Sequence, residues 1–193
     1  YILNYQVYLG TFARIATIIK SEKEYSPSNT LALDAGDFLM GTLFQALEAK
    51  TGFQLNLMKK MGYDISCFGN HEFDFGPEKL GVILQSGINQ GGIPIMLSGN
   101  AEFDKTDMRD DQLEDLIKNG SLFVKKVLMV NGLKIGFFSL MGEDAAIVAP
   151  KSAPVKFEKQ IPFAKRMVKE LKAEKCDIII CLSHSGVEKD KNG

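Results

Sequence analysis

Three apolar runs in this chain each stop on residues that can carry chemistry, and that pattern limits the fold more than any other feature of the sequence. Leu31-Ala32-Leu33 leads into Asp34-Ala35-Gly36-Asp37, Ile65 to Phe68 leads into Gly69-Asn70-His71-Glu72-Phe73-Asp74, and Ile178 to Leu182 leads into Ser183-His184. Short apolar runs bounded by Gly and polar residues read as buried strands. Gly76-Pro77 follows the second run as a helix start, since Pro suits the first helical position. Polar residues between a strand and the helix after it are the usual layout of an α/β active site. Asp37, Asn70 and His184 are therefore expected to meet at one sheet edge; His184 on the opposite edge would exclude the reading.

The residue types suit one another. A carboxylate oxygen, an amide oxygen and an imidazole nitrogen form a mixed donor set that fits Zn²⁺, Mn²⁺ or a similar ion better than a thiolate-loving one. His71 adjoins Asn70, so it would sit beside a metal held by Asn70 without binding it, as a proton donor or transition-state stabiliser. Asp74, three residues on, can hold the His71 ring in one tautomer. Asp34 reads instead as a turn former. The chain has two histidines, and both follow apolar strand-like runs.

Asp34-Ala35-Gly36-Asp37, the Gly-Asn-His-Glu-Phe-Asp run with Phe75-Gly76 behind it, and Leu182-Ser183-His184-Ser185-Gly186 together resemble the calcineurin-like metallophosphoesterases, in particular their 5′-nucleotidase / 2′,3′-cyclic phosphodiesterase branch. The likeness runs from Gly10-Thr11-Phe12-Ala13-Arg14 through Ser98-Gly99-Asn100 to His184. It implies a four-layered α/β fold and hydrolysis of nucleotide phosphomonoesters or 2′,3′-cyclic nucleotides with two divalent metal ions, zinc or manganese. By the family pattern Asp37 bridges the metals, Asn70 and His184 hold the second one, and His71 with Asp74 forms the catalytic dyad. The resemblance further implies a periplasmic or cell-surface protein with a carboxyl-terminal substrate-binding domain.

Two family motifs are not in the sequence. Gln6-Val7-Tyr8 stands where an Asp-x-His is expected after the strand-like Ile2-Leu3-Asn4-Tyr5, and the chain stops at Gly193 without a Gly-His-x-His. Residues 1–193 are therefore expected to form an incomplete catalytic domain, its missing ligands either lost or outside the numbered chain. The opening Tyr1 reads as a processed or trimmed start. One metal keeps Asp37, Asn70 and His184, while the other keeps Asp37 alone. Glu72 and Asp144 are the residues that would complete the site if this chain proved fully active. The alternative function is a degenerate, non-catalytic nucleotide- or phosphate-binding domain.

Composition removes several other classes. Lys plus Arg, 23, nearly balance Asp plus Glu, 24, so no basic excess points to a nucleic acid polymer. No apolar run approaches the roughly 18 residues of a membrane span. Cys67, Cys176 and Cys181 lack C-x-x-C spacing and read as small buried hydrophobes. No Walker loop, G-x-G-x-x-G or G-x-S-x-G occurs, which disfavours a P-loop kinase, a dinucleotide enzyme and a serine esterase.

Between the motifs, helical spacing runs over Phe12 to Lys20, over two tandem helices from Thr42 to Met61 broken near Thr51-Gly52, and over Lys79 to Asn89 before a strand at Pro94 to Ser98. The acidic stretch Asp104 to Asp115 reads as a solvated surface insertion. Counted as an EF-hand loop it places Met108 and Arg109 where an oxygen ligand and a Gly belong. Asn131-Gly132 between two apolar runs signals a hairpin. Ile161, Ala164, Val168 and Leu171 predict one face of a helix. Strands alternating with helices, plus the hairpin, predict a two-sheet α/β sandwich flanked by helices.

Overall fold

The computed structural model describes residues 11–39, 45–142 and 144–186. The strand expected at Ile2 to Tyr5 and the first residues of the expected Thr42 helix lie outside the described residues. In chain order the elements are α1 (Phe12–Tyr25), α2 (Gln45–Thr51), α3 (Phe53–Met61), β1 (Ile65–Cys67), a 3₁₀ turn (His71–Phe73), α4 (Pro77–Gln90), β2 (Ile95–Leu97), β3 (Ala101–Glu102), α5 (Asp111–Lys118), β4 (Leu122–Phe123), β5 (Lys125–Val130), β6 (Leu133–Met141), α6 (Ala145–Val148), β7 (Lys156–Phe157), α7 (Gln160–Ala173) and β8 (Ile178–His184).

β1, β2 and β4 pair in parallel as one sheet. β5, β6 and β8 form a second, with β5–β6 antiparallel and β6–β8 parallel, and β3 with β7 makes a small antiparallel pair. The hairpin turn falls at Asn131-Gly132, whose φ angles of 45° and 81° suit the type I′ turn that matches strand twist. Only Val124 separates β4 in the first sheet from β5 in the second.

Alternation along the strands assigns the layers. Ile65, Cys67 and Leu97 of the first sheet meet Ile135, Phe137 and Leu182 of the second in one apolar core between the sheets. Phe138 points the other way and packs with Phe163, Met167 and Leu171 of α7. Gly136, on that same side, has no room for a side chain, because a Cβ there would lie 2.7 Å from Leu171 Cδ2. A third cluster joins Met96 and Leu122 of the first sheet to Leu55, Leu80, Ile83, Leu84, Leu113 and Leu116 of α3, α4 and α5. The result is α, β, β, α in four layers, the sandwich anticipated from the sequence. Each fully buried Leu, Ile or Phe here contributes roughly 1.5–3 kcal/mol of apolar burial.

Four local expectations change. The Leu31 to Asp37 run is not a strand but an extended segment with a single parallel bridge, Leu33 to Ile65. The Asp34 carboxylate accepts from Gly36 N–H (3.0 Å) and Ser66 Oγ (2.8 Å), and it bends the chain away before a ladder can form. The acidic stretch ends in α5, whose Leu113 and Leu116 are buried. On α7 the buried stripe is Phe163, Met167 and Leu171, with the expected Ala164 and Val168 packed beside it, and only Ile161 of the expected face departs, 63% exposed. Cys181 is exposed because its side of β8 alternates away from the inter-sheet core.

Candidate active site

The local chain at each segment end dictates where its side chains go. Gly36, at φ 98°, turns the chain back after Ala35, and a Cβ there would lie 2.5 Å from Gly69 N. Gly69 lies equally close in return, since a Cβ on it would sit 2.3 Å from Asp37 Oδ1. Two bare backbones thus touch, and this contact brings the turn after Leu33 against the turn after β1. Asp37 itself takes the left-handed conformation, φ 65°, at a cost of order 1–3 kcal/mol for a residue with a side chain. It is held there by hydrogen bonds: its N–H donates to Glu72 Oε2 (2.8 Å), and its Oδ1 accepts from His71 N–H (3.0 Å).

Asp37, Asn70 and His184 come together at the expected edge. His184 Nε2 lies 3.1 Å from Asn70 Oδ1 and 3.2 Å from Asp37 Oδ2. The other ring nitrogen, Nδ1, is 2.8 Å from the Ala35 carbonyl oxygen, which can only accept, so Nδ1 carries the hydrogen. In a neutral ring Nε2 therefore turns a lone pair toward two oxygens that also offer only lone pairs. A proton or a metal ion between them satisfies all three, and a backbone carbonyl on the far nitrogen is the usual support of a metal-binding imidazole. Asn70 Nδ2 donates to the Val148 carbonyl (3.4 Å), which leaves Oδ1 facing His184. The donor set fits one divalent cation. Among the described residues no group of three His, Cys, Asp or Glu side chains converges, so the amide oxygen is needed as the third donor.

His71 and Asp74 are also joined: His71 Nδ1 lies 2.9 Å from Asp74 Oδ2. That hydrogen bond raises the His71 pKa above the ordinary imidazole value, partial burial opposing it. Glu72, which the sequence offers only as a reserve ligand, points inward and is 1% exposed. Burial pushes its carboxyl up to about 7, against the pull of N–H donors from Gly69, Asp37 and Leu39. Its oxygens are thus already engaged by the backbone. A cavity of about 410 Å³ opens beside Asn70 and His184 and is also lined by Gly142, Asp144, Ser183 and Ser185. Another, of about 220 Å³, is lined by Asp34 and Asp37 together with Phe12, Phe38, Met58 and Tyr63. The supporting carbonyls of Ala35 and Val148 leave no trace in sequence, because every residue carries one.

No family model matches the chain. Individual proteins do. Mouse (Mus musculus) 5′-nucleotidase is 31% identical over 193 residues, covering 98% of this chain and 31% of the mouse protein. The structure of Haemophilus influenzae NAD nucleotidase superposes with a TM-score of 0.73 at 30% identity, covering 95% of this chain and 34% of that one. The fold alone is shared with the calcineurin-like phosphoesterase YfkN of Bacillus subtilis, TM-score 0.71 at 22% identity over 94% of this chain and 55% of that one. The chain spans about 31% of the length of the mouse relative. By sequence and by fold the chain is a homologue of the 5′-nucleotidases over a part of their length, and its fold is that of the calcineurin-like phosphoesterases.

Proposed function

We propose that this chain carries the catalytic site of a metal-dependent hydrolase that cleaves phosphate esters of nucleotides, nucleoside 5′-monophosphates or 2′,3′-cyclic nucleotides. The observation that carries the reading is the meeting of Asp37 Oδ2, Asn70 Oδ1 and His184 Nε2 within 3.1–3.2 Å of the imidazole nitrogen. We assign these three to one divalent ion, Zn²⁺ or Mn²⁺, and Asp37 to a bridge toward a second ion. When bound, such ions polarise the phosphoryl oxygens and make a water acidic enough to attack near neutral pH. The residues of the chain do the rest. Asp74 fixes His71 through Nδ1, so Nε2 is the atom that holds a proton for the leaving oxygen. The cavity beside Asn70 and His184 gives the ester room to approach the donor set.

The same reading gives nucleoside recognition to a further carboxyl-terminal domain and places the parent protein in the periplasm or at the cell surface. Room for a further domain follows from the 31% share of the mouse 5′-nucleotidase that this chain spans, while its position and the location of the parent protein rest on the family resemblance alone. A second reading, a non-catalytic nucleotide- or phosphate-binding domain, draws on one fact: among the described residues Asp37 is the one expected ligand of the other ion. Metal content and phosphate release decide between them. The 193-residue chain is expected to take up one Mn²⁺ tightly and to release negligible phosphate from AMP or a 2′,3′-cyclic nucleotide, while a longer form carrying Asp-x-His and Gly-His-x-His takes up two and turns over. Inactivity of the longer form with two ions bound would favour the binding domain. Full activity of the 193-residue chain would require the ligand assignment to be redrawn around Asp144.

A further inference from the structure

We propose that Glu72 is a positioning residue whose carboxylate clamps the Asp37 turn to the Asn70 turn and so sets the spacing of the donor set. The inference rests on the metal-site reading above. Its geometry begins with what is missing between the two segments. Among the described residues, the last backbone hydrogen bond between them runs from Asp34 N–H to Ile65 C=O (3.0 Å), before either turn begins. Past that point two side chains cross: Asp37 Oδ1 accepts from His71 N–H (3.0 Å), and Glu72 takes up the remaining donors. Oε2 accepts from Gly69 N–H (2.5 Å) on its own turn and from Asp37 N–H (2.8 Å), and Oε1 accepts from Leu39 N–H (3.0 Å).

Three donors on two oxygens call for a carboxylate. An amide offers one acceptor oxygen, and its NH₂ would be turned against an N–H it cannot accept. The demand is sharpened by Asp37, whose left-handed backbone persists only where its surroundings over-determine it. Glu72 acts on Asp37 through the peptide N–H and leaves Asp37 Oδ2 to face His184, while Oδ1 accepts from His71 N–H. Buried hydrogen bonds to a charged acceptor are among the stronger ones, and leaving their donors unpaired is costly. Supporting residues of this kind typically change metal affinity by about 10–100-fold when altered.

The test uses the 193-residue chain, with Mn²⁺ as the probe. Glu72→Gln is expected to keep the circular dichroism of the unaltered chain while binding Mn²⁺ about 10–100-fold more weakly by calorimetry. Amide hydrogen exchange should show Asp37, Leu39 and Gly69 losing protection together while amides of β2 and β6 keep theirs. Glu72→Asp, which keeps the charge but shortens the reach, should recover part of the affinity. Should Glu72→Gln fail to fold, exchange in the unaltered chain still decides the matter: one carboxylate holding three amides makes them open as a unit, and widely different rates at Asp37 and Gly69 would overturn the clamp. Unchanged Mn²⁺ affinity with unchanged protection in Glu72→Gln overturns it as well. If the unaltered chain takes up no Mn²⁺, the metal reading fails, and the amides judge the clamp on their own.

Discussion

His71 and Asn70 are neighbours in sequence, yet their side chains face different partners, and single substitutions test the two roles proposed for them. Asn70 Oδ1 faces His184, whereas His71 Nδ1 faces Asp74. His71→Ala is expected to retain Mn²⁺ and, in a catalytically complete longer form, to lose about 10²–10⁴ in turnover, the usual range for an acid–base group. Release of the metal by that variant, measured by calorimetry, would make His71 a ligand and end the dyad assignment. Gly69→Ala is the sharper probe of the contact between turns, because its Cβ would sit 2.3 Å from Asp37 Oδ1. The methyl group must push the Asp37 carboxylate out of the donor set, so Mn²⁺ binding should fall below detection while the secondary structure survives. An unaffected affinity would show that the two turns can part without loss.

At the scale of elements, the second sheet depends on α7, and Leu171 is the residue to remove. It is fully buried against Phe138, and its methyl groups lie 2.7–3.0 Å from where a Gly136 Cβ would be. Leu171→Ala should cost about 2–5 kcal/mol in denaturant unfolding, the range for a large-to-small change in a tight core. Loss of under about 1 kcal/mol would mean that α7 resettles on the sheet. The helix itself is legible in the sequence, and of its expected face Ala164, Val168 and Leu171 do pack against the second sheet while Ile161 does not. Phe163 and Met167 escape the sequence reading, and only the sheet beneath decides that they join Leu171 in facing inward. The hairpin was legible for the opposite reason: Asn131-Gly132 carries its own backbone preference and needs no partner to express it. The meeting of Asp37, Asn70 and His184 was legible because each follows an apolar run that stops on polar residues. The role of Glu72 was not, because two of its three N–H partners lie 33 and 35 residues away, which no side-chain pattern reveals.

For the whole molecule, the arrangement of the sheets matters more than any one contact. Asp37 and Asn70 stand on segments that follow the first sheet, and His184 ends β8 of the second. An ion held by all three therefore ties the sheets together, and binding should stabilise the entire sandwich. At free Mn²⁺ about 100 times its dissociation constant, mass action gives about 2.7 kcal/mol. For a domain of this size that corresponds to a rise of about 5–10 °C in Tm. Asn70→Ala should abolish the shift in a thermal scan, and an equal shift in that variant would place the bound ion elsewhere. The link between β4 and β5 gives this a further meaning. With Val124 alone between the strands, the chain passes from one sheet to the other as a short hinge with almost no slack. The two halves of the donor set thus ride on sheets joined by the chain at Val124 and by Asn100, whose Oδ1 accepts from Met141 N–H (2.7 Å). On the proposed ligand assignment, the affinity for Mn²⁺ would be a gauge of sandwich alignment, sensitive to substitutions that touch no ligand at all.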